Sequence, residues 1–348
     1  MSPRAAVRTE LTAHQRRRRP LVVLLGPTAV GKSAVGIRVA QQYGTEVLTA
    51  DSRQVYRGMD IGTDKPTFEE RQGVVHRLID LADPDESFNA GRYRREAIHE
   101  IERLLGEGRL PLVVGGTGLY IRTLVRGLVE APQADPVIRQ ELTRLAEERG
   151  REELYAELTR VDPPTASRLH PHDSSKVIRA LEVYRVSGRP LSQLQAEHAF
   201  QERPFATLLL GIDRPRAELY RRIEARIDWQ LAHGMIEETR RLLARGYSRE
   251  SGAMKGLGYR HIAAHLAGEY DEAEMVRRFK QDTRQFAKRQ WTWFRKEPDI
   301  IWLSASAAAS TDELAEAVRG HIDRFLRSLD DAAPRTSAVE QEREGVHG

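Results

Sequence analysis

The stretch GPTAVGKS, residues 26–33, carries the residue types that hold phosphate groups. It fits the pattern Gly-x-x-x-x-Gly-Lys-Ser/Thr and follows the apolar run LVVLL. Glycines let consecutive backbone N–H groups turn towards an anion, while Lys32 adds positive charge and Ser33 offers a hydroxyl to a metal ion. The stretch therefore predicts a phosphate-binding loop between a strand and a helix. A glycine-containing turn without a ligand is the alternative.

The second apolar run ends in TADSRQVYRGMDIGTDKPT. Residues at the carboxyl ends of strands line the ligand crevice of a doubly wound sheet, so we expect Asp51 to face the phosphate loop. An aspartate in this position can equally cap the next turn. The polar residues Asp60, Thr63, Asp64 and Lys65 indicate either a substrate-contacting loop or a solvated turn.

The segment RLPLVVGGTGLYI ends its strand on glycines and Thr117. ATP hydrolases with a phosphate loop normally place an aspartate there to help hold magnesium, so this class is disfavoured. Glycines at this point suit the close approach of a ligand, but tight packing of a helix on a strand also needs them.

Two basic features lie in the later helical sequence. Arg222 and Arg226 are four residues apart and share one helix face, where they could clamp a diphosphate or form a solvated basic face. The stretch RQFAKRQWTWFRK, 284–296, has five basic and no acidic residues, with aromatics interleaved. Such a composition can bind phosphates and stack on unpaired bases, or can form an amphipathic helix. The histidines 170, 172, 261 and 265 suggest no metal site.

The composition points to a soluble, cytoplasmic protein. The 348 residues include no cysteine, which excludes disulfides and cysteine-ligated metal centres and fits a reducing compartment. No apolar run approaches the roughly 20 residues that a membrane span needs. The net charge is +4, but residues 1–20 hold six arginines against Glu10, so the rest is almost neutral. Any RNA contact must therefore come from local basic patches.

Short apolar runs alternate with helical sequence at Leu21–Leu25, Glu46–Ala50, Leu110–Gly115, Ala206–Ile212 and Ile300–Leu303. This alternation predicts an α/β fold with a P-loop NTPase-like parallel sheet wrapped by helices. Helical periodicity alone fills residues 135–200, which predicts a helical insertion domain. The expected order is a disordered basic arm over 1–20, the core over 21–134 and 201–330 with a C-terminal helical block, and a disordered tail over 331–348.

Seven motifs together resemble those of the bacterial tRNA dimethylallyltransferases over about residues 20–305: GPTAVGKS, ADSRQVYRGMDIGTDKP, HRLID, GGTGLYI, RALEVYRVSGRPLS, KGLGYR and KRQWTWFR. The resemblance implies transfer of a dimethylallyl group from dimethylallyl diphosphate to the exocyclic 6-amino group of an adenine. That adenine is 3′-adjacent to the anticodon in tRNAs reading codons that begin with U, and the products are N6-(dimethylallyl)adenosine and diphosphate. Mg²⁺ is the implied cofactor, the tRNA anticodon stem-loop is the implied partner, and we expect a monomer. The arginine-rich arm lies outside the family pattern.

The resemblance also implies residue roles. The catalytic set is Asp51 as the base, with Thr28, Lys32 and Thr117. The diphosphate-binding set is Gly26, Pro27, Thr28, Ala29, Val30, Gly31, Lys32, Ser33, Arg222 and Arg226, with Ser33 as the metal ligand. The tRNA-binding set is Asp51, Ser52, Arg53, Gln54, Thr117, Arg139, Ser175, Lys176, Val177, Ile178, Arg179, Lys255, Gly256, Leu257, Gly258, Tyr259, Arg260, Lys288, Arg289, Gln290, Trp291, Thr292, Trp293, Phe294 and Arg295.

Three other functions share parts of this pattern. A P-loop kinase of small molecules or nucleosides would use Lys32 and Ser33 on ATP and would leave the basic aromatic stretch idle. An adenylate-type isopentenyltransferase would prenylate free nucleotides, whereas the helical insertion and residues 284–296 favour a large RNA acceptor. A non-catalytic RNA-binding protein would bind RNA without consuming dimethylallyl diphosphate.

Overall fold

The computed structural model describes residues 10–129, 131–198, 202–305 and 309–331. The chain forms two compact units, one from Met1–Leu124 with Phe205–Gly348 and one from Val125–Pro204. The second unit begins ten residues before and ends four residues after the predicted insertion domain, 135–200. Residues 1–9 of the predicted arm and 332–348 of the predicted tail lie outside the described residues.

The first unit contains a six-stranded parallel sheet. Its strands are β1 (Pro20–Leu25), β2 (Val47–Ala50), β3 (His76–Arg77), β4 (Leu112–Gly115), β5 (Ala206–Asp213) and β6 (Ile300–Ser304), in the order β3-β2-β4-β1-β5-β6. Every residue of β1 is buried. Parallel strands that are covered on both faces are apolar along their whole length, which accounts for the run LVVLL in the sequence. The predicted parallel α/β fold is confirmed. Strand β3 went unpredicted, since two residues are too few to give a periodic pattern.

The strand register brings three loops to one edge of the sheet. Leu25 lies opposite Gly115 and Gly211, and Ala50 also lies opposite Gly115. The loops that follow β1, β2 and β4 therefore begin side by side. Gly115 permits this approach, because a Cβ there would lie 2.2 Å from the carbonyl oxygen of Ala50.

Nine helices lie wholly or mainly in the first unit: α1 (Ala13–Arg17), α2 (Lys32–Tyr43), α3 (Ala90–Gly106), α4 (Gly118–Arg126), α10 (Arg216–Ala232), α11 (Met235–Ala244), α12 (Tyr259–Leu266), α13 (Glu272–Phe294) and α14 (Thr311–Asp331). The second unit contains α5 (Pro136–Arg149), α6 (Arg151–Val161), α7 (Pro163–Ala166), α8 (Ser174–Ser187) and α9 (Leu191–His198). These counts cover the described ranges. In the same ranges, no helix has an apolar stretch of the length needed to cross a membrane.

Residues 10–20 are ordered, so the prediction of a disordered arm is wrong for this part of it. Thr12 caps α1, and its hydroxyl accepts the N–H of Gln15 at 3.1 Å. Leu11 is buried, and the Gln15 amide donates to the carbonyl oxygen of Leu326 at 3.3 Å and to Asp330 at 2.8 Å. The Gln15 hydrogen bonds fix the segment against α14, although its arginine run suggests solvation.

The second unit has its own core, formed by Leu142, Leu154, Leu158, Val177 and Leu181. Glu182 is fully buried on α8 and accepts hydrogen bonds from the Asp135 N–H, from Arg139 and from Arg179, at 2.8–2.9 Å. Burial opposes its charge, but the two guanidinium groups outweigh that and hold the pKa of Glu182 below its ordinary value.

Candidate active site

The phosphate loop has the backbone conformation of an anion-binding loop. Gly26 and Gly31 have φ angles of +149° and +106°, and Ala29 has the left-handed value of +62°. A Cβ on Gly26 would lie 2.8 Å from the carbonyl oxygen of Ile212, so glycine is required where the loop crosses the end of β5.

Two arginines bind the carbonyl side of this loop. Arg214 Nε donates to the carbonyl oxygen of Val30, and Arg222 Nε donates to that of Ala29, each at 2.9 Å. Arg222 was predicted as a diphosphate ligand. Arg214, which is buried, was missed by the sequence analysis, although its place directly after β5 is the signal that identified Asp51 after β2.

Positive charge collects beside the loop. Lys32 Nζ donates to the carbonyl oxygen of Pro27 at 2.7 Å, and burial lowers the pKa of Lys32 to about 8, against the opposing effect of Asp51. Arg226 binds Asp64 at 3.0 Å, while its Nε atom is buried and has no hydrogen-bond partner among the described residues. The site therefore has unused donor capacity, which suits a multiply charged anion.

Asp51 combines the two roles that its sequence position suggests. Its Oδ1 accepts the N–H groups of Arg53 and Gln54, at 2.7 and 3.3 Å, and so caps the turn after β2. Its side chain also borders the phosphate loop. Within the described chain, Oδ2 accepts no hydrogen bond, so one carboxylate oxygen is available to a substrate.

Thr117 and Gln54 fix the walls around Asp51. The Thr117 hydroxyl accepts the Ser52 N–H at 2.9 Å, which leaves its own proton to donate. The buried Gln54 amide donates to the carbonyl oxygens of Thr63 and Asp64, at 3.1 and 3.0 Å. Gln54 was predicted to contact tRNA, and here both its amide protons bind within the protein.

Two cavities meet at Asp51. The first, of about 450 Å³, is lined by the phosphate loop, Ser33, Asp64, Arg222 and Arg226, among others. The second, of about 330 Å³, is bordered by Arg53, Lys255, Tyr259, Arg260, Phe286 and Arg289, among others. Thr28, Asp51, Thr63 and Arg226 line both cavities. Most of the predicted phosphate residues and many of the predicted RNA residues thus surround two adjoining cavities.

Helix α13 packs directly on the turn that follows β4. Gln290 donates to the carbonyl oxygen of Gly116 at 2.8 Å, and the Trp293 ring covers Gly118, where a Cβ would lie 2.4 Å from the ring. The glycines of GGTG therefore admit side chains of α13, in addition to bordering the crevice.

Glu238 holds the loop after the second strand, and the sequence analysis missed it. This buried carboxylate accepts the N–H groups of Asp60, Ile61 and Gly62 at 2.9–3.1 Å and the Tyr259 hydroxyl at 2.5 Å. Glu238 shares a helix face with the buried Met235, Thr239 and Leu242, so a charged residue at an apolar position was the available signal.

The remaining predicted tRNA residues lie in three places. Lys288, Arg289 and Arg295 are exposed on or just after α13, and the Arg295 guanidinium lies 3.8 Å above the Trp291 ring. Lys255 pairs with Glu250 at 2.9 Å, and Arg260 pairs with Asp282. Arg139 and residues 175–179 belong to the second unit.

His261 behaves as a packing residue, whereas His170 and His172 are exposed. His261 is buried, accepts the Gly258 N–H at 3.2 Å through Nδ1 and contacts Asp282 at 3.0 Å through Nε2. In the residues that the structure describes, no group of three or more His, Cys, Asp or Glu side chains could hold a metal ion. The Ser33 hydroxyl, predicted as a metal ligand, is exposed at the start of α2.

Comparison with known proteins gives one consistent result. The family model described as IPP transferase matches residues 54–297. A tRNA dimethylallyltransferase of Geobacter metallireducens is 50% identical over 283 residues, which cover 81% of this chain and 92% of the relative. A crystal structure of a Bacillus halodurans tRNA isopentenylpyrophosphate transferase matches with 34% identity and a TM-score of 0.68, covering 90% and 98% of the two chains. A eukaryotic dimethylallyltransferase acting on tRNA matches with 29% identity and a TM-score of 0.77, covering 89% and 79%.

Proposed function

Since this chain belongs to the IPP transferase family, we propose that it modifies tRNA by transferring a dimethylallyl group from dimethylallyl diphosphate. It is a prenyltransferase enzyme. The proposed acceptor is the exocyclic 6-amino group of the adenine 3′-adjacent to the anticodon, in tRNAs reading codons that begin with U. The kinase and adenylate-type alternatives are not favoured, because the relatives across most of the chain are named as tRNA enzymes.

The observation that carries this proposal is the meeting of the two cavities at Asp51. One is lined by the phosphate loop and arginines, and the other is bordered by arginines, a lysine and aromatic rings. A diphosphate ester in the first and an unpaired base in the second would place their reacting atoms at the shared residues Thr28 and Asp51.

In the proposed reaction, the adenine nitrogen forms a bond to the allylic carbon while the carbon–oxygen bond to diphosphate breaks. Negative charge develops on the departing diphosphate, and Lys32, Arg222, Arg226 and the loop N–H groups stabilise it. The amine loses one proton, which the free Oδ2 of Asp51 accepts. Thr28 lines both cavities, and Thr117 binds the Ser52 N–H. These two hydroxyl groups orient the two substrates.

A divalent metal fits the donors of this site. Ser33 offers a hydroxyl, and Mg²⁺ prefers few protein oxygens together with substrate phosphate oxygens and water, so no carboxylate cluster is needed. When bound, Mg²⁺ would neutralise charge on the diphosphate.

The second cavity supports contact with an extruded base of the anticodon loop. Phe286 is partly exposed there, and Arg53, Lys255, Arg260 and Arg289 supply charge for the RNA backbone. Arg139 and residues 175–179 are proposed as further tRNA contacts. We propose a monomer, because one chain lines both cavities, and a cytoplasmic location, which suits action on tRNA.

The test is a transfer assay with labelled dimethylallyl diphosphate, Mg²⁺ and unmodified tRNA. We expect label in one adenosine next to the anticodon, and none in tRNA that is already modified. Parallel reactions with AMP and with labelled ATP plus nucleosides test the adenylate-type and kinase alternatives. Product in either of those reactions, with no label in tRNA, would reject the proposal.

A further inference from the structure

We propose that Gln290 is a positioning residue that holds the phosphate loop and the turn after β4 in the arrangement that receives diphosphate. This inference deepens the proposed function and rests on its assignment of the loop to the diphosphate. It differs from the role in tRNA binding that the sequence suggests for the whole segment 288–295.

The side-chain amide of Gln290 joins two loops. Its Oε1 accepts the Thr28 N–H at 2.9 Å, and its Nε2 donates to the Gly116 carbonyl oxygen at 2.8 Å. The partners fix the direction of the amide, since a flipped amide would set NH2 against N–H and carbonyl against carbonyl. One side chain of α13 thus ties the loop after β1 to the turn after β4.

The amide lies next to the groups proposed to act on diphosphate. A Cβ on Gly116 would lie 2.7 Å from Gln290 Nε2, 3.3 Å from the Gly26 carbonyl oxygen and 3.7 Å from Lys32 Nζ. Gln290 therefore reaches the point where the first glycine of the loop, its lysine and the β4 turn come together. Only a residue without a side chain leaves room there for the amide.

The contacts favour positioning over recognition of RNA. Gln290 borders the second cavity, yet one lone pair and one proton of its amide are already used within the protein. Three residues along the helix, Trp293 packs over Gly118 and holds the same face of α13 against the turn. The packing of Trp293 on Gly118 therefore holds α13 in the position from which the Gln290 amide binds the phosphate loop.

Replacing Gln290 with methionine keeps the length of the side chain and removes both hydrogen bonds. The Thr28 N–H then loses the Gln290 acceptor, and the phosphate loop is no longer linked to the turn after β4. We expect the full-length Gln290→Met protein to bind inorganic diphosphate with Mg²⁺ about tenfold more weakly, the size expected for one or two lost hydrogen bonds. The KM for dimethylallyl diphosphate should rise similarly, and the affinity for unmodified anticodon stem-loop RNA should change by less than about twofold.

Gln285→Met is the matched control, because Gln285 is an exposed glutamine of the same helix that lines neither cavity. We expect it to match the wild type in calorimetric titrations with diphosphate. Gln290→Asn is a second variant, which keeps an amide that is too short to join both partners and should weaken diphosphate binding as well. Melting curves of all variants identify any that fail to fold. If Gln290→Met does not fold, Gln290→Asn provides the test.

Unchanged diphosphate affinity in a folded Gln290 variant would overturn the inference, as would a loss confined to RNA binding, which would make Gln290 a base contact. These titrations need no dimethylallyl transfer. If the wild-type protein transfers no dimethylallyl group, the proposed function fails while the effect of Gln290 on diphosphate binding is still decided.

Discussion

At the scale of single residues, Asp51 holds a turn with Oδ1, while Oδ2 accepts no hydrogen bond from any residue that the structure describes, and these two roles can be separated. Asp51→Asn can keep the acceptor for the Arg53 and Gln54 N–H groups but cannot take a proton. We expect single-turnover transfer to slow by about 10² to 10⁴, the usual contribution of a positioned general base. The melting temperature and tRNA affinity should change little.

Asp51→Ala is the companion variant, because it removes the cap as well as the base. It should lower the melting temperature relative to Asp51→Asn while slowing transfer by a similar factor. A wild-type transfer rate in Asp51→Asn would remove this residue from the chemistry and leave it as a cap alone.

Lys32 gives the site a pH dependence of its own. Burial lowers the pKa of Lys32 to about 8, so its charge is lost as the pH rises through that value, and a bound anion favours the charged form. We expect diphosphate affinity to fall between pH 7 and pH 9 beyond the change caused by the titration of diphosphate itself. Titrations of Lys32→Arg, which stays charged over this range, provide the correction. Parallel pH profiles of the two proteins would contradict the prediction.

For residues that act from a distant element, the sequence can mark the position but not the loop that the side chain binds. The phosphate loop and Asp51 follow apolar strands, and strand ends identify them. Glu238, Arg214 and Gln290 reach the site from α11, from the end of β5 and from α13, and only the packing of those elements shows which loop each one meets. Gln290 could be assigned to a segment near the site but not to its partners.

At the scale of elements, the packing of α13 on the turn after β4 depends on the absence of a side chain at Gly118. A Cβ at Gly118 would lie 2.4 Å from the Trp293 ring, well below contact distance. Gly118→Ala should therefore shift α13, with weaker tRNA binding and a loss of about 1–3 kcal/mol of stability, the range for overpacking.

Gly106→Ala is the matched control, because this helical glycine of α3 has no atom within 4 Å of the added methyl group. We expect it to be neutral or stabilising, since alanine favours helices over glycine by about 1 kcal/mol. Thermal melts and filter binding of tRNA compare the two variants. Equal behaviour would show that Trp293 adapts without moving the helix.

At the scale of the whole molecule, the two units can be monitored separately. All four tryptophans, at positions 229, 291, 293 and 302, lie in the first unit, whereas both units contain helices. Tryptophan fluorescence therefore reports the first unit, and far-ultraviolet circular dichroism reports both. The sequence predicted the second unit through its helical periodicity, but not Glu182 as its buried charge, because a glutamate on a helix is ordinarily exposed.

Glu182→Gln should destabilise the second unit by about 2 kcal/mol, since hydrogen bonds to a charged group are lost. Its pKa is lowered in the folded protein, so the carboxylate contributes fully above its ordinary pKa near 4.5, and the contribution is lost as the pH falls through the folded value. At pH 7 we expect an earlier transition in circular dichroism without one in tryptophan fluorescence, and a smaller difference from wild type below pH 4.5. The exposed Glu147→Gln is the control, and coincident early transitions by both probes would contradict the assignment.

The arginines that bind the phosphate loop also determine when the loop can reach its final structure during protein synthesis. Arg214 and Arg222 lie 184 and 193 residues beyond the carbonyl groups that they bind, so the loop leaves the ribosome long before its supports do. Contacts of such sequence separation form late, after the intervening chain is made. A nascent chain arrested before α10 emerges should therefore capture no diphosphate, and ligand binding cannot assist the early steps of folding.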